Sequence, residues 1–233
     1  MLVIAHRGAS GHEPENTLRA IKEAINANVD GIEIDIHEVD NQLVVIHDRW
    51  LHRTTNGQGQ LKNHSFEQLR ILDAGKGEFI PTLSEVLKVI NGQCFVNIEL
   101  KGVTNLNLLY KNLEQAQHSY HFSAEQLLLS SFNHHLLHQI TQQQPQYPIG
   151  ALTACYPLNY ALFAEQLHAY SVHLDVDFIS QYFVDDAHKR NIKVFVYTVD
   201  EIDDIKTVKA LGVDGIFSNY PSKAKSHLAH QYR

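Results

Sequence analysis

Two runs of the sequence put charged residues where a buried strand would carry apolar ones. Gly31-Ile32-Glu33-Ile34-Asp35-Ile36 and Phe95-Val96-Asn97-Ile98-Glu99-Leu100-Lys101 alternate apolar and polar residues with a period of two. In a β-strand that spacing places Glu33 with Asp35 on one face, and Asn97, Glu99 and Lys101 on one face of the other strand. A third run, Leu2-Val3-Ile4-Ala5, leads directly into His6-Arg7. If the apolar alternates pack against helices, the three carboxylates turn towards a common interior. Unpaired buried carboxylates are too costly to persist, so their convergence calls for cations. Arg7 and Lys101 supply part of that charge and a bound metal ion would supply the rest. Carboxylate oxygens are hard ligands suited to Mg²⁺, Ca²⁺ or Mn²⁺. Zinc would prefer more His or Cys, and the nearness of His6 keeps it open.

His47 reaches the same level by another route. Asp40-Asn41-Gln42 is turn chemistry between the β-prone runs ending at Val39 and beginning at Leu43, which predicts a hairpin. With Val39 opposite Leu43, His47 lies opposite Asp35. A loop one residue different puts it opposite Ile36.

The elements that must position these residues follow from the hydrophobic pattern. Strands are expected to begin near Leu2, Gly31, Cys94, Leu127, Pro148, Val172, Lys193 and Asp214. Helical periodicity fills the gaps: Leu18, Ile21 and Ile25 behind Asn16 as N-cap, then Leu83, Val86, Leu87 and Ile90 behind Thr82, then Ile202, Ile205 and Val208 before Gly212. Parallel strands need crossovers, so eight strands alternating with helices predict an α/β chain closed as a (β/α)8 barrel. An open doubly wound sheet is second, without its glycine-rich phosphate fingerprint. The interval between the second and third strands is about twice the others. This predicts a single domain over residues 1–233 with an insertion of approximately 39–80 after strand 2, on the face where barrel loops form the site.

Composition narrows the classes. The chain has 233 residues, a net charge of −7 with His neutral, 44% hydrophobic and 19% charged residues, an ordinary globular balance. The acidic balance and the lack of a basic stripe argue against nucleic acid as partner. No apolar run has the length of a membrane span, and two cysteines, Cys94 and Cys155, make no disulfide scaffold, so a cytoplasmic location is the expectation. The oligomeric state is not readable.

His6-Arg7-Gly8, Pro14-Glu15-Asn16-Thr17, Glu33-x-Asp35, His47-Asp48, Arg53-Thr54-Thr55-Asn56-Gly57, Pro81-Thr82-Leu83-x-Glu85 and Glu99-x-Lys101 occur in that order. Together they resemble the glycerophosphodiester phosphodiesterase family, and Gly212–Phe217 fits that family's last strand. The resemblance implies a (β/α)8 enzyme, a phosphoric diester hydrolase, that converts small-molecule glycerophosphodiesters to sn-glycerol 3-phosphate and an alcohol. It implies that Glu33, Asp35 and Glu99 hold one divalent metal ion (Mg²⁺, Ca²⁺ or Mn²⁺), that Arg7 and Lys101 bind phosphate, and that His6 and His47 are base and acid. The chain departs from the family pattern at Tyr197, where Trp is common, at Ser218-Asn219, where Thr-Asp is common, and at Arg49-Trp50-Leu51-His52. These departures bear on substrate fit.

Phe132 and Tyr197 end strands and are candidates for the substrate cleft. His134, His135 and His138 lack carboxylate neighbours and read as a solvated helix face; His227 and His230 read as a surface tail. Two other functions compete. A lysophospholipase D-like lipid phosphodiesterase would show an apolar loop patch, for which Trp50-Leu51 is the one suggestive pair. A catalytically silent phosphoester-binding barrel would have lost a carboxylate or a histidine, and all are present.

Overall fold

The computed structural model describes residues 1–230. Its strands are β1 (Leu2–Ala5), β2 (Gly31–Val39), β3 (Gln42–Val45), β4 (Phe95–Gly102), β5 (Leu127–Ser131), β6 (Ile149–Thr153), β7 (Ser171–Asp175), β8 (Lys193–Tyr197) and β9 (Gly215–Ser218). Its helices are α1 (Leu18–Asn26), α2 (Phe66–Arg70), α3 (Leu83–Ile90), α4 (Leu106–Ser119), α5 (His134–Gln143), α6 (Leu162–Gln166), α7 (Gln181–Lys189), α8 (Ile202–Ala210) and α9 (Pro221–His230). All strands but β3 pair in parallel, and β1 pairs with both β2 and β9, so eight strands close into a (β/α)8 barrel. Among the described residues no helix is long and apolar enough to cross a membrane.

The register sorts the side chains. Glu33 lies beside Asn97 and Asp35 beside Glu99 across β2 and β4. The intervening Ile32, Ile34, Val96 and Ile98 are fully buried in the core shared with the surrounding helices. Inside the barrel, Ile4, Leu128, Phe195 and Phe217 form a separate apolar plug beneath the polar residues. Gly31, Gly150 and Gly215 face inward opposite Phe95, His173 and Phe195, which occupy the space a Cβ would take. This pairing of absent and large side chains lets the large rings fit inside the barrel.

Helix α3 starts as its sequence dictates, with Thr82 and Glu85 forming a reciprocal capping box. Helix α1 does not start at Asn16. Thr17 is its N-cap, and Asn16 sits in the left-handed region with φ 59°. The stretch carrying His227 and His230 forms the helix α9.

The hairpin of β2 and β3 is tighter than expected. Val39 pairs with Gln42 through a two-residue turn in which Asp40 and Asn41 both have positive φ, 47° and 56°. That is the geometry that suits the twist of paired strands. The shorter loop shifts the register, so Ile46 rather than His47 bonds to Asp35, its N–H donating to the Asp35 carbonyl at 3.0 Å. Between β3 and α3 the chain forms short 3₁₀ turns at Leu51–Arg53 and Leu61–Asn63 and the helix α2. With the hairpin this segment buries its own apolar cluster, including Val39, Val44, Leu51, Leu61 and Leu69.

The interior packing makes Gly150 sensitive. A Cβ there would lie 2.5 Å from Nε2 of the wholly buried His173, which is packed against Phe195 and Phe217. Gly150→Ala is expected to destabilise the protein by about 1–3 kcal/mol through overpacking. Urea denaturation checks this, and adding His173→Ala should return part of the loss.

Candidate active site

One end of the barrel holds a cavity of about 110 Å³ whose lining includes His6, Arg7, Glu33, Glu99, Lys101 and Tyr197. Each comes from the C-terminal end of a strand or the loop after it, where barrel enzymes carry their chemistry. Carboxylate oxygens of Glu33, Asp35 and Glu99 lie within 4.8 Å of one another. All three residues are buried, Asp35 to 1% exposure.

Two cations answer them. Lys101 Nζ is 2.6 Å from Glu99 and 3.5 Å from Asp35. Arg7 Nε is 3.3 Å from Asp35, its Nη1 donates to Glu15 at 2.9 Å, and its backbone N–H donates to Glu33 at 2.8 Å. That last bond depends on Arg7 adopting φ 56°, a strained choice for a non-glycine residue. Asn16, in the same left-handed region, donates from Nδ2 to Asp35 at 3.0 Å. The compensation is incomplete, because three carboxylates face two cations. Glu33 Oε1 and Asp35 Oδ1 are buried without a hydrogen-bond partner. Burial and the neighbouring carboxylates push Glu33 well above the usual carboxylate range, and burial with Asp35 pushes Glu99 up. For Lys101, Glu99 and Asp35 outweigh a large burial penalty and hold its ammonium more firmly than usual.

His6 stands beside the cluster with Nε2 4.0 Å from Glu33. Its Nδ1 is 2.8 Å from Asn219 Oδ1. The Asn219 amide is oriented by Asp200: its Nδ2 and backbone N–H donate to the two Asp200 oxygens at 2.7 and 2.8 Å. Asn219 Oδ1 must therefore accept, so His6 carries its proton on Nδ1 and turns a free Nε2 lone pair to the cavity. Burial, then Arg7, lowers the His6 pKa to about 4. Sequence reasoning missed Asn219 and Asp200 in this role and gave Asn16 to a helix cap.

His47 is tied differently. Its Nδ1 is 2.6 Å from Asp48 Oδ1, so a carboxylate backs this imidazole. Arg53 spans Asp48 and Glu15, donating to Asp48 through Nε and to Glu15 at 2.7 and 2.8 Å. The Arg53 bonds hold Asp48 well below its ordinary range. Glu15 in turn bonds Arg7, so the insertion is clasped to the loop after β1.

Phe132 and Tyr197 line the cavity, edge to face at 6.3 Å, and Phe132 is 49% exposed. The apolar pair Trp50-Leu51 does not form a patch, because Leu51 is buried while Trp50 is 41% exposed. His135 and His138 are exposed, but His134 is not a solvated residue: it stacks on Phe163 at 5.0 Å with Nε2 2.9 Å from the Leu152 carbonyl.

Comparison with known proteins agrees with this arrangement. Residues 6–223 match the model of the glycerophosphoryl diester phosphodiesterase family. A glycerophosphodiester phosphodiesterase of Caldanaerobacter subterraneus is 40% identical over 230 residues, covering 94% of either chain. One from Bacillus altitudinis is 32% identical over 237 residues, covering 95% of this chain and 96% of its own. The structure of an Oleispira antarctica phosphodiesterase in complex with the product sn-glycerol-3-phosphate superposes with a TM-score of 0.90 at 30% identity, over 98% of this chain and 97% of that one.

The uncompensated carboxylates generate a prediction about cations. Saturating Mg²⁺, Ca²⁺ or Mn²⁺ near neutral pH is expected to raise Tm, by about 2.7 kcal/mol of stabilisation at one hundred times Kd. Protons compete for ligands that titrate above the usual carboxylate range, so the rise should shrink as pH falls towards that range. Glu33→Gln should abolish the rise without lowering the Tm of the metal-free protein, since it removes a repelling charge. Thermal denaturation with and without chelator measures all of this.

Proposed function

The chain belongs to the glycerophosphoryl diester phosphodiesterase family, and on that premise we propose that it is a metal-dependent enzyme hydrolysing glycerophosphodiesters to sn-glycerol 3-phosphate and an alcohol. The observation that carries the proposal is one cavity lined by His6, Arg7, Glu33, Glu99 and Lys101, with the buried Asp35 clustered against Glu33 and Glu99.

The donor set fits a hard divalent ion: three carboxylates, two of them with orphaned buried oxygens. Glu33, Asp35 and Glu99 would hold it, and when bound it would supply Lewis-acid polarisation of a phosphoryl oxygen. Its two charges also change the balance. Three carboxylates and two cations leave the cluster one negative charge in excess; a divalent ion leaves it one positive charge in excess, which a phosphodiester monoanion neutralises. Arg7 and Lys101, now spent on carboxylates, become available to the phosphate, Arg7 through planar donors and Lys101 as a point charge.

His6 serves as general base. Its free Nε2 can take a proton from the attacking hydroxyl, whether that belongs to water or to the substrate's own glycerol. The imidazolium so formed keeps its Nδ1–H on Asn219. His47, backed by Asp48, is suited to holding a proton and giving it to the departing alkoxide. Because Asn219 is an amide, it fixes the His6 tautomer without adding charge, and Asp200 supplies the carboxylate one link further out.

A panel of glycerophosphodiesters with detection of released glycerol 3-phosphate tests the activity, and chelation should abolish it. An aryl phosphodiester with a nitrophenolate leaving group hardly needs an acid. His47→Ala is therefore expected to lose about 10²–10⁴-fold on glycerophosphocholine and much less on the aryl ester. His6→Ala should lose comparably on both. Leaving-group sensitivity in His6→Ala instead would exchange the roles. Asn219→Leu, which removes the acceptor that fixes the tautomer, should lower kcat with little change in KM, and histidine nitrogen NMR should show mixed tautomers at His6.

A further inference from the structure

We propose that the leaving alcohol lies in a basic groove beyond Lys101, and that this groove selects acceptor-rich alcohols, polyols and phosphorylated polyols, over the quaternary ammonium of choline. The inference rests on the phosphodiesterase reading above and specifies its substrate.

The groove has a volume of about 370 Å³ and is lined by His37, Glu38, Arg49, Gln60, Lys62 and Lys101, among others. Lys101 lines both this groove and the cavity that holds the carboxylates, so the two spaces adjoin at that residue. It is bordered by the backbone that carries the proposed acid: His37 Nε2 is 3.1 Å from the His47 carbonyl, and the His37 ring fills the space beside Gly102. A diester whose phosphate rests on Lys101 can direct its alcohol into this groove.

The lining is a local reversal of a chain with net charge −7. Three cations, Arg49, Lys62 and Lys101, face one acid. Among the described residues neither Arg49 nor Lys62 is paired with a carboxylate. Glu38, the one acid, is engaged: its Oε2 accepts from the N–H groups of Thr104 and Asn105 and from the Thr104 hydroxyl at 2.8–2.9 Å. Arginine, lysine and glutamine side chains offer many donors, which suits hydroxyl, phosphate and carboxylate oxygens. A quaternary ammonium donates and accepts nothing and is held by aromatic faces. Among the described residues no aromatic ring other than His37 lines the groove, and Trp50, next to Arg49 in the chain, has its ring 6.1 Å from that of His52.

The test measures kcat/KM for glycerophosphocholine, glycerophosphoglycerol and glycerophosphoinositol phosphate, with the metal-loaded full-length protein, at low and high salt. The phosphorylated polyol is expected to be preferred over choline by about tenfold at low salt, with the neutral polyol between them. Salt should compress the order, because exposed charges are screened. The double variant Arg49→Gln with Lys62→Gln leaves the cavity residues untouched and should bring the three substrates close together while retaining turnover of glycerophosphoglycerol. Equal or better turnover of glycerophosphocholine by the parent, or an unchanged order in the double variant, overturns the proposal and leaves the phosphodiesterase reading standing. Turnover of none of the three overturns both.

Discussion

The constraint on which the rest of the structure depends is an excess of negative charge inside the barrel mouth. Carboxylates from β2 and β4 meet because the register sets Asp35 beside Glu99, and the cost of burying them is offset only in part. Much of the surrounding chemistry answers that cost. Arg7 takes a strained backbone angle and so aims its N–H at Glu33; Asn16 leaves the helix it could cap and bonds Asp35; Lys101 leans back along its own strand. Each of these groups is a donor aimed at a different carboxylate of the cluster. One negative charge remains uncompensated, and a divalent ion would reverse its sign.

The two histidines are held by different logic. His6 is tied to the barrel itself through an amide whose orientation is dictated from behind by Asp200. His47 is tied to a carboxylate within the insertion, and that carboxylate is held by Arg53, which also grips Glu15 at the barrel rim. The neutral amide fixes one tautomer of His6 and leaves its Nε2 free, whereas Asp48 orients the His47 ring. The asymmetry of the partners thus matches the asymmetry of the proposed roles.

The barrel and the carboxylate cluster are legible in the sequence because both are periodic. Alternation of two in Glu33-x-Asp35 and Asn97-x-Glu99-x-Lys101 survives any error in strand boundaries. The hairpin was legible as a turn but not in register, since one residue in the loop slides the whole β3 strand, and only the positive φ of both Asp40 and Asn41 fixes it. Asn16 was open to misreading because Asn is a good N-cap wherever it precedes a helix. Its bond to Asp35 requires the loop after β1 to fold back over β2. Asn219 and Asp200 lie at the ends of neighbouring strands and meet His6 only on barrel closure, so no local pattern couples them. The one available signal was a polar pair, Ser218-Asn219, where a last strand runs out.

The insertion buries an apolar cluster of its own, apart from both the helix-covered core and the plug within the barrel. Its clasp to the rim is ionic and largely solvent-facing, the kind of contact that contributes little to stability. The proposed base sits on the closed barrel, whereas the proposed acid opens a segment that, past the core-packed Leu43 and Val45, is held to the rim through those ion pairs, so the two are expected to differ in local stability. Mild heating or denaturant that loosens the insertion would withdraw His47 while His6 and the carboxylates stayed assembled on the closed barrel. Such a molecule would keep its ion and its phosphate affinity and still process activated esters after losing its natural substrates, so its failure would be graded by leaving group before it was structural.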